Sequence, residues 1–243
     1  MTVPPVIEPI LERCYQAFAA VERPTRMDFS PYKSPDIAER ALSRPCRELD
    51  DDDIGPYAGS ATLTVGGPDD YKYFLPRILE LSVTSGAWIG ADPPIVADHL
   101  VRADWHKWST EQQSAVQHFF DEVYGWSVGA PVDSVAPADL WLCGNLLLDK
   151  EPSGLLSIWR GNDSPEAAYR LAEFRSSWAD SFKRNERPPF WADLSARSWE
   201  AVVTWLLDPA TKQQIEAALA HVADEDRWVL DQTLDLIASE MRQ

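Results

Sequence analysis

The chain has few of the residues that mark catalytic, redox or metal centres. Its 243 residues include three cysteines and four histidines. The cysteines, Cys14, Cys46 and Cys143, are odd in number and far apart. This pattern disfavours a disulfide framework and favours free thiols in a reducing compartment. We therefore expect a cytoplasmic protein.

The distribution of apolar and charged residues predicts neither a membrane span nor a targeting segment. No apolar run reaches the length that a membrane span requires. The first segment, up to Phe18, has no basic region, and Glu8, Glu12 and Arg13 interrupt its apolar residues, unlike a signal peptide. We expect no membrane association, which agrees with a cytoplasmic location.

Positive charge is scarce. The chain has 22 basic and 39 acidic residues, which gives a formal net charge of −17. Such a field repels nucleic acid and anionic membranes and attracts basic partners. The composition therefore disfavours direct nucleic-acid binding and favours a basic protein partner. A mimic of DNA stays open, but it would need acidic residues spaced like phosphates along one face.

Recognisable reaction motifs are lacking too. The sequence has no HExxH, CxxC, Walker or GxSxG pattern. His99 and His106 are two helical turns apart, which places their rings about 10 Å apart, too far for one metal ion. We interpret them as structural histidines and predict no metal site, no cofactor and no assigned catalytic residue.

Aromatic residues are abundant, with 11 Trp, 8 Phe and 7 Tyr, and hydrophobic residues make up 45% of the chain. This content is sufficient for a substantial core. We interpret most tryptophans as core residues or as wedges between helices, and a minority as anchors for a protein interface. Those that stand out in the sequence are Trp88, Trp105, Trp108, Trp191, Trp199 and Trp205.

The spacing of apolar residues is helical almost throughout. It predicts helices over about 7–18, 36–42, 69–83, 95–105, 109–126, 137–148, 165–184, 198–207, 209–221 and 226–241. The segment 60–67 alternates β-branched residues, so a short strand competes there with a helix end and loop. The prediction is an all-α fold, an irregular helical bundle or stacked helical hairpins, with at most one minor strand. We expect a single domain over 1–243, with a possible internal subdivision near 127–137.

A run of four aspartates is the most conspicuous acidic feature. Carboxylates at a helix N-terminus accept unsatisfied backbone donors and oppose the positive end of the dipole, so helix capping is the favoured interpretation. Partner binding is the alternative. The candidate partner-binding residues are Asp50, Asp51, Asp52, Asp53, Asp69 and Asp70.

A second charged block lies in the helix predicted over 69–83. Its Asp70 and Arg77 are seven residues apart, and Arg77 and Glu80 share one face. An arginine between carboxylates can position an anionic substrate, so Lys72, Arg77 and Glu80 are candidate ligand-binding residues. A structural ionic network that fastens the helix to its neighbours is the favoured interpretation.

Residues 44–81 resemble a family of uncharacterised bacterial proteins with a PLREL…DD(F/Y)(R/K)xFLPRxxEL pattern. Looser similarity extends to 105–126 and to 205–207. The resemblance implies a bacterial, helical protein, and no known activity comes with it. Family members often carry a close cysteine pair before this block, but the corresponding residues here, MDFSPYKSPD, contain none. No metal site is therefore implied. The matching residues are Pro45, Arg47, Glu48, Leu49, Asp53, Tyr57, Gly66, Asp69, Asp70, Tyr71, Lys72, Phe74, Leu75, Pro76, Arg77, Glu80 and Leu81.

These features lead to a first hypothesis and two alternatives. The first is a non-enzymatic cytoplasmic protein-binding protein, such as an immunity or inhibitor protein that neutralises a basic bacterial toxin. The second is an enzyme or small-ligand-binding protein that uses the block of Asp70, Lys72, Arg77 and Glu80. The third is an adaptor built from helical hairpins.

Overall fold

The computed structural model describes residues 2–85, 90–132, 134, 137–184 and 186–240. These residues form thirteen α-helices and three single-turn 3-10 helices, and the only β-type pairing among them is in isolated bridges. The all-α prediction is confirmed. Within the same ranges, no helix has both the length and the apolar character needed to cross a membrane.

The helices follow one another with short connections. The α-helices are α1 (Glu8–Ala17), α2 (Asp36–Ala41), α3 (Asp51–Ala58), α4 (Pro68–Thr84), α5 (Pro93–Arg102), α6 (Thr110–Val128), α7 (Ala138–Leu147), α8 (Pro152–Arg160), α9 (Pro165–Ser177), α10 (Ala179–Arg184), α11 (Ala196–Leu207), α12 (Pro209–Ala218) and α13 (Arg227–Glu240). The 3-10 helices are Cys46–Glu48, Trp105–Lys107 and Pro189–Trp191.

The chain divides into two compact units, unit 1 over residues 1–123 and unit 2 over residues 124–243. The boundary falls inside α6, a few residues before the loop in which the sequence suggests a subdivision. Residues 133, 135 and 136 of that loop lie outside the described residues. The single domain over 1–243 stays a prediction.

Unit 1 is built around α4. The predicted apolar face of this helix is buried against α1, α3 and α5. Its helical spacing brings these side chains onto the core side, where each buried aromatic or aliphatic group stabilises the fold by about 1.5–3 kcal/mol. The buried residues are Tyr71, Phe74, Leu75, Ile78, Leu79 and Leu81.

The segment 60–67 forms a tight loop instead of a strand. Its backbone turns at Thr62, whose φ is 58°, and again at Gly66, whose φ is 66°. Left-handed conformations interrupt extended chain, so only isolated bridges form, from Val65 to Ala61 and to Phe29. The alternation of Thr and Val predicts extended chain, and the turn at Thr62 overrides it.

Unit 2 is built around α9, which contacts α7, α10, α12 and α13. The ring of Phe174 on α9 stacks on Trp159 and Trp191, with centroids 5.8 Å and 5.3 Å away. Trp178 continues the cluster, 4.6 Å from Trp191 and 5.0 Å from Trp199. The interpretation as core residues is therefore confirmed for Trp159, Trp178 and Trp191, whereas Trp199 is half-buried and Trp88 lies outside the described residues.

Two helix boundaries in unit 2 differ from the sequence-based expectation. The helix predicted over 165–184 is two helices, α9 and α10, with Trp178 between them. No helix is expected over 152–160, where α8 forms. Its Pro152 occupies the first helical position, which suits proline, but the adjacent Ser153 and Gly154 resemble a loop in the sequence.

Candidate functional site

The aspartate run begins α3 and caps it. Asp50 accepts a hydrogen bond from the backbone N–H of Asp53 at 3.0 Å, and Asp53 accepts one from the N–H of Asp50 at 3.3 Å. This is a capping box, which satisfies two otherwise unpaired donors. Arg44 forms ion pairs with both carboxylates. The structural role of Asp50 and Asp53 is thus confirmed.

The two middle aspartates face a shallow depression of about 520 Å³ in unit 1. Asp51 accepts a hydrogen bond from the hydroxyl of Ser85, and Asp52 is exposed. Lys33 and Arg40 line the same depression. The depression therefore has mixed charge, and a partner would meet cations as well as the two carboxylates.

Asp70 performs the same task for α4 that Asp53 performs for α3. Its Oδ2 accepts a hydrogen bond from the N–H of Gly67 at 2.7 Å. Burial and, less strongly, the neighbouring Asp69 raise the pKa of Asp70. The ammonium of Lys72 lies 5.2 Å from the ring centre of Trp108, within range of a cation–π interaction. Asp69 is exposed.

Arg77 and Glu80 form an ion pair that ties three segments of unit 1 together. The Nη1 of Arg77 is 2.7 Å from Glu80 Oε1, and its Nε donates to the carbonyl of Leu49 at 2.7 Å. The hydroxyl of Tyr15 on α1 donates to the same Glu80. The side chains of Arg77 and Glu80 are only 16% and 22% exposed. This geometry fits a structural network.

The predicted ligand-binding block is therefore divided between two environments. Asp69, Asp70 and Lys72 line one depression of unit 1. Arg77 and Glu80 are committed to each other and to neighbouring segments. A ligand role for the block stays a prediction, and the geometry supports it less well than a structural role.

The two histidines considered in the sequence have different environments. His99 is 1% exposed, and its Nδ1 lies 3.1 Å from the hydroxyl of Thr62. Burial lowers its pKa, so the neutral ring is favoured. His106 lies at the surface, 3.9 Å from Asp104. In the part of the chain that the structure describes, no group of His, Cys, Asp and Glu side chains is arranged to hold a metal ion.

The thiols are poorly suited to nucleophilic attack. Burial raises the pKa of Cys14 and of Cys46 to about 12, and it raises the pKa of Cys143 as well. A protonated thiol is a weak nucleophile. The Sγ of Cys143 instead donates to the carbonyl of Phe190 at 3.2 Å.

The sequence does not single out the most exposed of the described tryptophans. Trp228, near the start of α13, is 61% exposed, whereas the other described tryptophans are buried or half-buried. The buried side of α13 is formed by Val229, Leu230 and Thr233. The helical spacing of these three residues places Trp228 on the outer side of α13. The same spacing is visible in the sequence and is the signal that could have identified Trp228 as exposed.

Acidic residues surround this indole. Asp231 and Asp235 follow Trp228 by three and seven residues and so share its side of α13. Asp224 and Glu225 precede the helix and are exposed. We call these four acids and Trp228 the Trp228 surface. Arg227 precedes Trp228 and lies 3.6 Å from Asp231, so the surface combines an apolar anchor with charges that are mainly negative.

Comparison with known proteins identifies no relative of this chain. No family model matches it, and no curated protein or solved structure gives a significant match. The functional argument therefore depends on the chemistry of the chain itself.

Proposed function

We propose that the protein is a non-enzymatic binding protein that captures a basic protein partner through the Trp228 surface. The observation that supports this function is the 61% exposure of Trp228 on a stretch of chain with four exposed carboxylates, Asp224, Glu225, Asp231 and Asp235. Tryptophan is the residue type most enriched among binding hot spots.

The two components of this surface have different tasks. The indole can fill an apolar pocket of the partner, and its removal typically costs a complex about 2–4 kcal/mol. The surrounding carboxylates steer a cationic partner and raise the association rate by about 10 to 10³ at low salt. The net charge of −17 extends that attraction over the whole molecule.

The partner that suits this chemistry is a basic protein with an apolar pocket inside a cationic surface. A basic toxin with a cationic active site has these properties, and an immunity protein that covers it is the specific form of the proposal. The acids Asp51, Asp52 and Asp69 in unit 1 would add to the long-range field, because they are not used as caps.

Affinity capture from a native cell extract, at low and at moderate salt, tests the proposal. We expect one basic protein in stoichiometric amount. Its purified complex should lose about thirtyfold in affinity on Trp228→Ala, the equivalent of 2 kcal/mol. Trp228→Phe should retain most of the affinity, and Glu200→Gln, which neutralises an exposed acid on α11, should be neutral.

Two results would overturn the proposal. One is capture of no protein at either salt. The other is a partner whose affinity is unchanged by Trp228→Ala, since that partner would bind elsewhere on the chain.

A further inference from the structure

Unit 2 contains a polar depression. The residues that line it are not among the candidate site residues of the sequence analysis. Its volume is about 540 Å³, within the range of small-molecule sites. We call it the Arg160 depression. Its polar residues are Arg160, Asp163, Ser164, Gln214 and His221, and its small apolar residues are Ala168, Ala217 and Ala218.

Arg160, at the end of α8, is held in place by one side of its guanidinium. Its Nη2 donates to the hydroxyl of Thr211 at 3.2 Å and lies 3.8 Å from Asp208. The guanidinium carbon is 5.9 Å from the ring centre of Trp205. Its Nη1 has no hydrogen-bond partner among the described residues. One N–H donor group of the positioned guanidinium therefore has no acceptor among the described residues.

Gln214 on α12 has a side-chain oxygen without a donor among the described residues. Its Nε2 donates to the carbonyls of Trp159, at 3.1 Å, and of Asn162, at 3.0 Å. These two bonds fix the orientation of the amide, so the other atom is an oxygen. That Oε1 has no partner within the described part of the chain. Both leftover atoms are covered, and burial of an unsatisfied polar atom is unfavourable.

The two unsatisfied atoms need opposite partners. The Nη1 of Arg160 requires an acceptor, for which a carboxylate is best suited. The Oε1 of Gln214 requires an N–H or O–H donor. Asp163, which is exposed on the same depression, adds a negative charge that an ammonium would balance. Because both atoms are covered, binding requires that the partly exposed side chain of Arg160 release Thr211 and turn toward the depression.

We propose that the Arg160 depression binds a small zwitterion that carries an ammonium and a carboxylate. The carboxylate pairs with Arg160, the ammonium with Asp163 and Gln214, and a small aliphatic group lies on the alanines. A purely anionic ligand would be repelled by Asp163 and would leave the Gln214 oxygen unpaired. The same chemistry is present in a free amino acid and in a short peptide.

Titration calorimetry on the full chain tests whether the depression binds a zwitterion and whether that ligand is a free amino acid or a short peptide. The probes are L-alanine and L-alanyl-L-alanine, with propionate as the analogue without an ammonium and ethylamine as the analogue without a carboxylate. We expect alanine or the dipeptide to bind at least about tenfold more tightly than either analogue, because each loses a charged hydrogen bond. The ratio between alanine and dialanine identifies the source of the ligand.

Substitutions of Asp163 and Arg160 test which charged group of the ligand each residue binds. Asp163→Asn should weaken the zwitterion about tenfold but should not weaken propionate, because propionate has no ammonium and is freed from the repulsion of the Asp163 carboxylate. Arg160→Lys should weaken zwitterion and propionate alike. Glu200→Gln, an equal change of charge outside the depression, should alter nothing. Since Asp163 is exposed, its variant keeps the test valid if Arg160→Lys does not fold.

Three results would overturn the inference: no heat with any probe, equal affinity for the zwitterions and their single-charge analogues, or zwitterion binding unaffected by Asp163→Asn. The result is independent of the proposed protein partner, because no residue of the Trp228 surface lines the depression.

Discussion

The two units have similar acidic character but use it differently. Acidic residues outnumber basic ones in both. In unit 1, the conspicuous acids Asp50, Asp53 and Asp70 cap helices, and Glu80 is paired with Arg77. In unit 2, acids surround an exposed indole. A run of acids can thus serve helix capping, so it does not by itself indicate a binding surface.

The aromatic residues differ between the units as well. Unit 1 has a smaller group, in which Phe74 packs on Tyr57 and Tyr73 at 4.9 Å each, and it leaves Tyr32 96% exposed. Unit 2 concentrates tryptophans around Phe174, yet leaves Trp228 outside that cluster. The same residue type is therefore structural at one position and available for binding at another.

The largest expected effect concerns this contrast in unit 2. Trp191 is 2% exposed and packs on Phe174 and Trp178, so Trp191→Ala should lower the free energy of unfolding by about 3–5 kcal/mol. Trp228→Ala should change it by less than about 0.5 kcal/mol. Denaturant unfolding followed by circular dichroism measures both. Equal losses would show that Trp228 is part of the core and would remove the contrast.

The next effect tests the ion pair in unit 1. Glu80→Ala removes the partner of Arg77 and the acceptor of the Tyr15 hydroxyl, and should lower the free energy of unfolding by about 1–3 kcal/mol. The same measurement on Asp69→Ala, at an exposed carboxylate, is the control and should show little change. A stable Glu80→Ala protein would argue for a ligand role of the block instead.

A smaller effect separates the members of the aspartate run. Asp50→Ala removes the N-cap of α3 and should cost about 1 kcal/mol of unfolding free energy. Asp52→Ala, at an exposed position that is not a cap, should stay within about 0.5 kcal/mol. Thermal unfolding of the two variants side by side decides this. Equal effects would mean that capping does not explain the run.

A pH dependence in unit 2 is a separate expectation. Burial raises the pKa of Asp139 on α7 to about 6, with a smaller contribution from Glu173. The folded protein thus holds the proton more tightly than the unfolded chain does, so this group favours folding below pH 4 and loses that contribution as the pH rises through about 6. Asp139→Asn should therefore gain stability relative to the parent at pH 8 but not at pH 4, in urea titrations. A difference that is the same at both pH values would contradict the raised pKa.

Much of the fold could be predicted from the sequence. The period of apolar residues locates α4 and its buried face, because burial of one side enforces that spacing. The segment 60–67 could not be predicted, since the turn at Thr62 depends on tertiary contacts with the chain near Phe29. Helix α8 is missed because its Ser153 and Gly154 are typical of loops.

The candidate sites were less predictable. The capping role of Asp50 follows from local chemistry and is confirmed. Trp228 could be found only by asking which tryptophan lies off the apolar face of its helix. The Arg160 depression could not be found, because Arg160 and Gln214 are far apart in the sequence and their leftover atoms are defined by tertiary hydrogen bonds.

The most direct test of the account is the binding kinetics of the captured basic partner against two variants at two salt concentrations. Trp228→Ala should raise the dissociation rate about thirtyfold at either salt, because it removes an apolar anchor. A variant with Asp51→Asn and Asp52→Asn should lower only the association rate, and only at low salt. If the aspartate variant instead raises the dissociation rate and Trp228→Ala has no effect, the contact lies in unit 1 and the central claim is wrong.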